Sequence, residues 1–251
     1  KRQANFQTRI PPFSNPHHTV TATAMVGGGS SQIRPGSCSL AHGGVLFIDE
    51  APECSSGVLD ALRQPLENRQ VTITRASGTV NYPANFLLVL AANPCPCGRF
   101  TGRGRGCTCS SLQIRRYQQK LSGPLLDRID IRAFVEVPTR VEMNSPDMGE
   151  SNSEIRDRVE QARAVAKERF KDESWSTNSE IPAHLLRTKY KVDRAGLAIL
   201  YNELDRERLS ARGFHKVQRI AWSVADREGV QIPGKNEVEY ALQLRSGVSL
   251  L

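Results

Sequence analysis

The chain has 251 residues, of which 39% are hydrophobic and 24% charged, and its formal net charge is +8. That length supports one large domain or two smaller ones with an ample apolar core. The positive charge favours an anionic partner such as nucleic acid, a nucleotide or a membrane surface, although a merely basic protein fits equally well. Since the sequence contains neither a membrane-spanning apolar run nor a signal-peptide pattern at Lys1, we expect a cytoplasmic protein with no membrane partner.

The first 140 residues predict an α/β fold. The patterns indicate, in chain order, a buried strand over 43–50, a helix over 55–69, a hairpin over 71–82, a second buried strand over 86–93 and a third strand over 133–138. Because strands alternate with helices, we expect a parallel sheet.

The composition changes after Pro138, where a polar stretch indicates a linker over 141–152. A capping-box pattern of Ser151 and Glu154 then precedes a series of helical stretches. We predict helices over 155–170, 194–209, 210–227 and 236–244. The chain therefore divides into an α/β core over 1–140 and an all-α domain over 153–251.

Two acids end the first predicted strand, in "GGVLFIDE". Ligands bind at the carboxyl edge of open parallel sheets, so this pattern suggests nucleotide hydrolysis. Asp49 would hold Mg²⁺, usually through water, and Glu50 would polarise the attacking water. Asn93 ends the neighbouring strand and can orient the same water. Taken alone the pattern is weak, since many strands end in acids without any such role.

Two arginines are candidates for contacts with the transferred phosphoryl group. Arg128 lies in "GPLLDRID" between Asp127 and Asp130, which fits either a surface ion pair or an arginine finger that acts on a neighbouring subunit. Arg212 opens a helix of the second domain, from which it could reach the same phosphate.

Four of the six cysteines lie close together after Asn93, as two Cys-x-Cys pairs that are nine residues apart. This cysteine cluster consists of Cys95, Cys97, Cys107 and Cys109. Four thiolates suit tetrahedral Zn²⁺, although Cys-x₂-Cys is the usual spacing, and reduced thiols or disulfides are the alternatives. The polar loop between the pairs carries three arginines that either face a nucleic-acid backbone or are simply solvated. They are Arg99, Arg103 and Arg105.

The segments "GGVLFIDEAPE", "AANPCPCG", "SGPLLDRIDI" and "LSARGFHKVQRIAWSVAD" resemble the magnesium-chelatase-like branch of AAA+ ATPases, and within it the bacterial ComM/YifB group of competence-related proteins. "PPFSNPHHT" and "RPGSCSLAH" fit the same group, and the resemblance covers nearly the whole chain. It implies an AAA+ α/β core followed by a helical lid.

The resemblance also implies roles for the candidate residues. Asp49 and Glu50 correspond to the Walker B motif, Asn93 to sensor 1, Arg128 to the arginine finger and Arg212 to sensor 2. It implies a ring, as a homo-hexamer, with ATP and Mg²⁺ at each subunit interface. Members of the ComM type are implicated in branch migration of DNA during recombination and natural transformation, whereas magnesium chelatases insert Mg²⁺ into protoporphyrin.

Related helicases carry a pore hairpin where this chain has residues 71–82, which makes Arg75, beside the turn, a DNA-binding candidate. An exposed charge next to a turn is the simpler alternative. His17 and His18 are candidates for metal or phosphate binding, but adjacent histidines beside a proline are more often loop residues.

One element of the family pattern does not occur in the 251 residues: the phosphate-binding loop GxxxxGK[ST]. Gly27–Ser31 has the glycines of such a loop without its lysine. We therefore expect a fragment that begins between Walker A and Walker B, or a truncated gene, with little ATPase activity by itself. The leading interpretation is an ATP-dependent DNA-remodelling motor when the protein is complete. A chelatase-type motor and a non-enzymatic DNA-binding or ring-assembly module are the alternatives.

Overall fold

The computed structural model describes residues 10–29, 32–76, 78–101, 106–136, 138, 140–144 and 149–249. The chain divides into two compact units, Lys1–Ile129 and Asp130–Leu251. The domain boundaries drawn from the sequence, at 140 and 153, stay a prediction. Among the described residues, no helix combines the length and the apolar character that crossing a membrane requires.

The described part of the first unit combines short helices with seven short strands. Its strands are β1 (Phe13–Ser14), β2 (Gly27–Gly28), β3 (Arg34–Pro35), β4 (Val45–Ile48), β5 (Gln70–Arg75), β6 (Gly78–Pro83) and β7 (Leu87–Leu90). Its helices are α1 (Ala22–Val26), α2 (Ser37–Leu40), α3 (Ser56–Ala61), α4 (Arg63–Asn68), α5 (Ser111–Gln118) and α6 (Gly123–Leu126).

A parallel three-stranded sheet forms the centre of this unit, in the order β1-β4-β7. Phe13 pairs with Val45, and Ile48 pairs with Leu90. Both interfaces are parallel, so all three strands end at the same edge. The parallel sheet predicted from the sequence is confirmed, and so is the hairpin, in which β5 and β6 pair in antiparallel fashion.

The two faces of this sheet differ sharply in burial. Leu46 and Ile48 are fully buried and pack in the core of the unit, whereas Phe13, Leu87 and Val89 on β1 and β7 are exposed. The prediction of a fully buried strand over 86–93 is therefore wrong for alternate residues. Successive side chains of a strand point to opposite faces, and the described helices cover only one of them.

The helix predicted over 55–69 is divided into α3 and α4 at Leu62. Pro65 explains the break, because it has no N–H with which to continue the hydrogen-bond series of the preceding turn. The apolar spacing of the sequence is preserved across the break, and Val58 and Leu62 are still buried.

The second unit is mainly helical. Its elements are β8 (Ala133–Phe134), α7 (Arg140–Met143), α8 (Asn152–Arg169), α9 (Arg194–Asp205), α10 (Ala211–Glu228), α11 (Lys235–Ser246) and β9 (Val248–Ser249). The four long predicted helices are confirmed with small shifts of their ends. The third predicted strand, over 133–138, is reduced to β8, which pairs with β9 in this unit and not with the central sheet. Because β9 has only two residues, β8 can pair over no more than two residues.

The capping box predicted at the start of α8 is present. The Ser151 side chain accepts from the backbone N–H of Glu154 at 3.3 Å, and the Glu154 carboxylate accepts from the backbone N–H of Ser151 at 2.7 Å. Helix α10 buries one apolar face, including Val217 and Ala221. On another face of α10, Lys216 pairs with Asp130 at 2.5 Å.

A buried ion pair joins α8 to α10. The Arg169 guanidinium pairs with the Asp226 carboxylate, whose side chain is only 2% exposed, and it also donates to Asn178. The same guanidinium lies 4.3 Å from the centre of the Trp222 ring. The carboxylate accepts a further hydrogen bond from Asn178 at 2.8 Å, so the buried charge is well compensated.

Replacing Arg169 with methionine should strongly destabilise the second unit, because the Asp226 carboxylate would stay buried without its cation. Breaking such a pair costs about 3–5 kcal/mol of unfolding free energy. Urea unfolding followed by tryptophan fluorescence measures this directly, since both tryptophans of the chain, Trp175 and Trp222, lie in this unit.

The matched control is Arg158→Met on the same helix, because Arg158 pairs with Glu150 at an exposed position. We expect the urea midpoint of this variant to stay close to that of the parent chain. Equal shifts for the two variants would show that the Arg169–Asp226 pair has no special role in stability.

Candidate functional site

Polar side chains follow each of the three parallel strands at their common carboxyl edge. His17 and His18 come after β1, Asp49 and Glu50 come directly after β4, and Asn93 comes three residues after β7. Ligand sites of open parallel sheets lie at this edge. Two carboxylates, an amide and two imidazoles therefore follow the strands at this one edge of the sheet.

Hydrogen bonds continue from the strand ends into this edge. Ala91 donates its backbone N–H to the Ile48 carbonyl at 3.0 Å, and Ala51 donates to the Ala91 carbonyl at 2.9 Å. The turn that carries Asp49 and Glu50 is thereby fixed between two bonds to the segment that leads to Asn93.

The backbone of Glu50 has an unusual conformation, with φ 48° and ψ 42°. A residue with a side chain pays a strain energy in this left-handed region, of about 1–3 kcal/mol. The Asp49 carboxylate accepts from the Glu50 N–H at 2.9 Å and so stabilises the turn. Asp49 is exposed and Glu50 half-buried, which leaves both carboxylates open to solvent.

His18 contacts the Glu50 carboxylate. Its Nδ1 lies 3.0 Å from Glu50 Oε2, and the His17 ring packs 4.0 Å away, centre to centre. The sequence favoured a plain loop for these histidines, and this contact was not anticipated. This contact could in principle have been predicted, because His18 follows β1, which runs parallel to β4. The residues that follow these two strands therefore reach the same edge of the sheet.

Arg128 is engaged inside the first unit. Its guanidinium donates to the Glu67 carboxylate at 2.5 Å and to the Pro124 carbonyl at 2.8 Å, and only 15% of its side chain is exposed. Arg212 lies in the other unit, exposed, at the second position of α10. Ser210 caps that helix, accepting from the Gly213 N–H at 3.0 Å. The roles predicted for both arginines stay predictions.

Two of the arginines predicted to bind DNA are described by the structure, and both are exposed. Arg75 ends β5 opposite Gly78 and is exposed, and Arg99 is exposed in the loop between the cysteine pairs. Arg103 and Arg105 lie outside the described residues. A DNA-binding role for the four arginines stays a prediction.

The cysteine cluster is brought together in the fold, with its four sulfur atoms all within 4.8 Å of one another. Cys95 is buried and the other three are half-buried. The remaining cysteines lie apart from it: Cys38 and Cys54 are packed in the apolar core. Burial raises the pKa of the Cys38 thiol to about 12, which is typical of a cysteine that serves only in packing. Among the residues that the structure describes, the cysteine cluster is the one group of three or more potential ligands close enough together to share a metal ion.

Family models match both parts of the chain. One described as "Magnesium chelatase, subunit ChlI" matches residues 1–143, and one described as "Magnesium chelatase, subunit ChlI C-terminal" matches residues 149–245. The chain therefore belongs to the magnesium-chelatase-like family, in the ComM/YifB group.

Three relatives illustrate how closely the chain resembles this group. An uncharacterized protein of Mycobacterium tuberculosis is 46% identical over 94% of this chain and 46% of its own length. The competence protein ComM of Haemophilus influenzae is 37% identical over 96% of this chain and 46% of its own length. YifB of Escherichia coli is 36% identical over the same shares. The chain thus spans about half the length of these relatives.

Proposed function

We propose that this chain contributes the Walker B, sensor and lid parts of an ATP-driven motor that remodels DNA. The single observation that carries the proposal is the carboxyl edge of the parallel sheet, where Asp49, Glu50 and Asn93 follow adjacent strands. Membership of the magnesium-chelatase-like family supports the use of a nucleotide and Mg²⁺ at such an edge.

Each residue of the edge has a distinct task in this proposal. ATP with Mg²⁺ supplies the phosphoryl group that is cleaved. Asp49, as an exposed carboxylate, is suited to hold Mg²⁺ through water, and the amide of Asn93 orients the attacking water. Glu50 polarises that water and accepts its proton. His18 is a positioning residue, because its contact fixes one oxygen of the Glu50 carboxylate.

We place the phosphate-binding loop of an AAA+ core in a part of the gene product outside these 251 residues. Two observations support this. The motif GxxxxGK[ST] does not occur in the sequence, and one apolar face of the central sheet is exposed at Phe13, Leu87 and Val89. A further strand would extend the sheet at one edge, and helices that accompany it would cover such a face. In this arrangement the second unit is the lid, and Arg212 contacts the γ-phosphate.

We further propose that the complete protein forms a homo-hexamer and that its substrate is DNA. In the ring, Arg128 would exchange Glu67 for a phosphate on the neighbouring subunit. The name of the Haemophilus relative, a competence protein, supports a DNA substrate, as do the net charge of +8 and the exposed Arg75 and Arg99. The family description favours a second candidate, a chelatase-type motor that acts with a tetrapyrrole-handling partner.

The full-length gene product should hydrolyse ATP several-fold faster when forked DNA is added, because a DNA motor couples turnover to its track. Protoporphyrin with Mg²⁺ should leave the rate unchanged. A rate that responds only to the porphyrin would favour the chelatase-type motor. No hydrolysis under any of these conditions would favour a non-enzymatic module.

Replacing Glu50 with glutamine in the full-length gene product should retain ATP binding and lower turnover by about 10²–10⁴-fold, the usual contribution of a general base. Binding of a fluorescent ATP analogue and phosphate release measure the two effects separately. The control is Glu53→Gln, since Glu53 is three residues away but pairs with Lys120. If Glu50→Gln turned over ATP as fast as the parent, Glu50 would have no such role.

Replacing Arg75 with alanine should weaken DNA binding about equally for all DNA sequences. It should also reduce the slope of the logarithm of the binding constant against the logarithm of the salt concentration by about one. Fluorescence anisotropy with a forked oligonucleotide at several salt concentrations measures both quantities. Arg156→Ala, an exposed arginine on α8, removes the same charge elsewhere. Identical losses in both variants would mean that only net charge matters.

A further inference from the structure

The distances within the cysteine cluster fit a single shared ion. Cys95 Sγ lies 3.4 Å from Cys97 Sγ and 3.7 Å from Cys107 Sγ, and the sulfurs of Cys97 and Cys107 are 3.7 Å apart. Four sulfurs at about 2.3 Å from a tetrahedral ion lie about 3.8 Å from one another. A disulfide requires about 2.05 Å, and all six cysteines are free thiols.

Backbone N–H groups are directed at these sulfurs. Those of Arg99 and Thr108 donate to the Cys97 sulfur. The N–H of Cys97 donates to Cys109, and that of Cys109 donates to Cys107. Such donors stabilise the thiolate, which is the form that binds metal, and they orient the ligands around the ion.

Within the loop between the two pairs, the structure describes residues 98–101 and 106, and these make few other contacts that would order them. In its described part, the backbone hydrogen bonds are those from Gly98 to the Cys95 carbonyl and from Thr101 to the Arg99 carbonyl. Phe100 is 44% exposed and does not anchor the loop in a core. Ordering such a loop costs conformational entropy, and the binding of a structural zinc ion would offset this cost.

Both ends of the cysteine cluster are tied to the first unit. Cys95 follows Asn93 by two residues, and Ser110, directly after Cys109, caps α5 through a capping box with Gln113. From the end of α5, Gln118 donates to the Pro94 carbonyl at 3.2 Å. The residue before Cys95 is thus joined to the end of α5, the helix that begins two residues after Cys109.

We propose that the cysteine cluster binds one Zn²⁺ ion in a closed four-thiolate site, and that this ion anchors the loop 98–106 to the end of β7. The site is structural, because all four positions of a tetrahedral ion are taken by protein sulfur and none is left for water. Its consequence is mechanical: the ion fixes the residues that follow Asn93 and presents Arg99 on an ordered loop. The proposal goes beyond nucleotide hydrolysis and holds whether or not the protein is an ATPase.

The full chain, purified without a histidine tag, should contain about one zinc ion per molecule by elemental analysis. A metal dye would follow the release of zinc by a mercurial reagent. Complete release should require about four equivalents of the reagent per chain, one for each thiolate of the cysteine cluster. Cobalt in place of zinc should give the intense visible bands of a tetrahedral thiolate site. These readouts use the unaltered chain, so they do not depend on whether a variant folds.

The variant Cys95→Ser/Cys107→Ser should lose at least about nine-tenths of the zinc, since two ligands from different pairs are removed. Cys54→Ala, which removes a thiol outside the cysteine cluster, should keep it. Trypsin should cut within 98–106 at least about tenfold faster after chelation of the metal, because the loop then loses its anchor.

Three results would each overturn the proposal. They are a chain that binds no zinc after reduction and reconstitution, iron in place of zinc in the chain as purified, and a cobalt spectrum of octahedral type. Disulfides in the cysteine cluster, detected as four missing thiols without reductant, would likewise contradict it. If chelation removed the zinc and left the rate of tryptic cleavage unchanged, the metal site would stand but its role in anchoring the loop would be refuted.

Discussion

The parallel pairing of β4 with β1 and β7 is the constraint on which the candidate site depends. Because the three strands run in one direction, their following loops emerge at one edge, and side chains far apart in sequence meet there. The two hydrogen bonds of Ala91, to Ile48 and Ala51, carry this alignment past the strand ends. The left-handed conformation of Glu50 is tolerated in this setting, where the turn is held from both sides.

The same edge connects the site to the cysteine cluster. The strand that leads to Asn93 continues within two residues into Cys95, and α5 returns to the same place through Gln118. A fixed cluster therefore limits how far Asn93 can move. The second unit is held differently, by a buried pair of Arg169 and Asp226 between two long helices.

Local patterns were sufficient for much of the fold. Apolar spacing predicted the long helices, and alternation around a turn predicted the hairpin of β5 and β6. The errors have one physical origin, which is that the environment of an element is set by distant partners. Leu87 is exposed because the described elements cover only one sheet face, and β8 is short because its partner is β9. The local sequences of β7 and β8 do not determine the exposure of Leu87 or the length of β8.

The site was predictable to the extent that strand ends determine it. Asp49, Glu50 and Asn93 follow directly from the apolar runs before them. The contact of His18 with Glu50 was missed, because β1 is only two residues long and gives almost no sequence signal. The convergence of the four thiols required the turn geometry on either side of the loop, whereas the spacing alone left three alternatives open.

The carboxyl edge of this sheet is proposed to bind the metal ion of a nucleotide, and the use of Mn²⁺ in place of Mg²⁺ makes that binding measurable. Electron paramagnetic resonance would measure ATP-dependent binding of Mn²⁺ to the full-length gene product and to two variants. We expect Asp49→Asn to weaken this binding at least about tenfold, because a carboxylate charge near the ion is lost. Asp60→Asn, which alters an acid paired with Arg63, should leave the binding unchanged. Equal binding by the parent and by Asp49→Asn would show that Asp49 does not hold the metal ion.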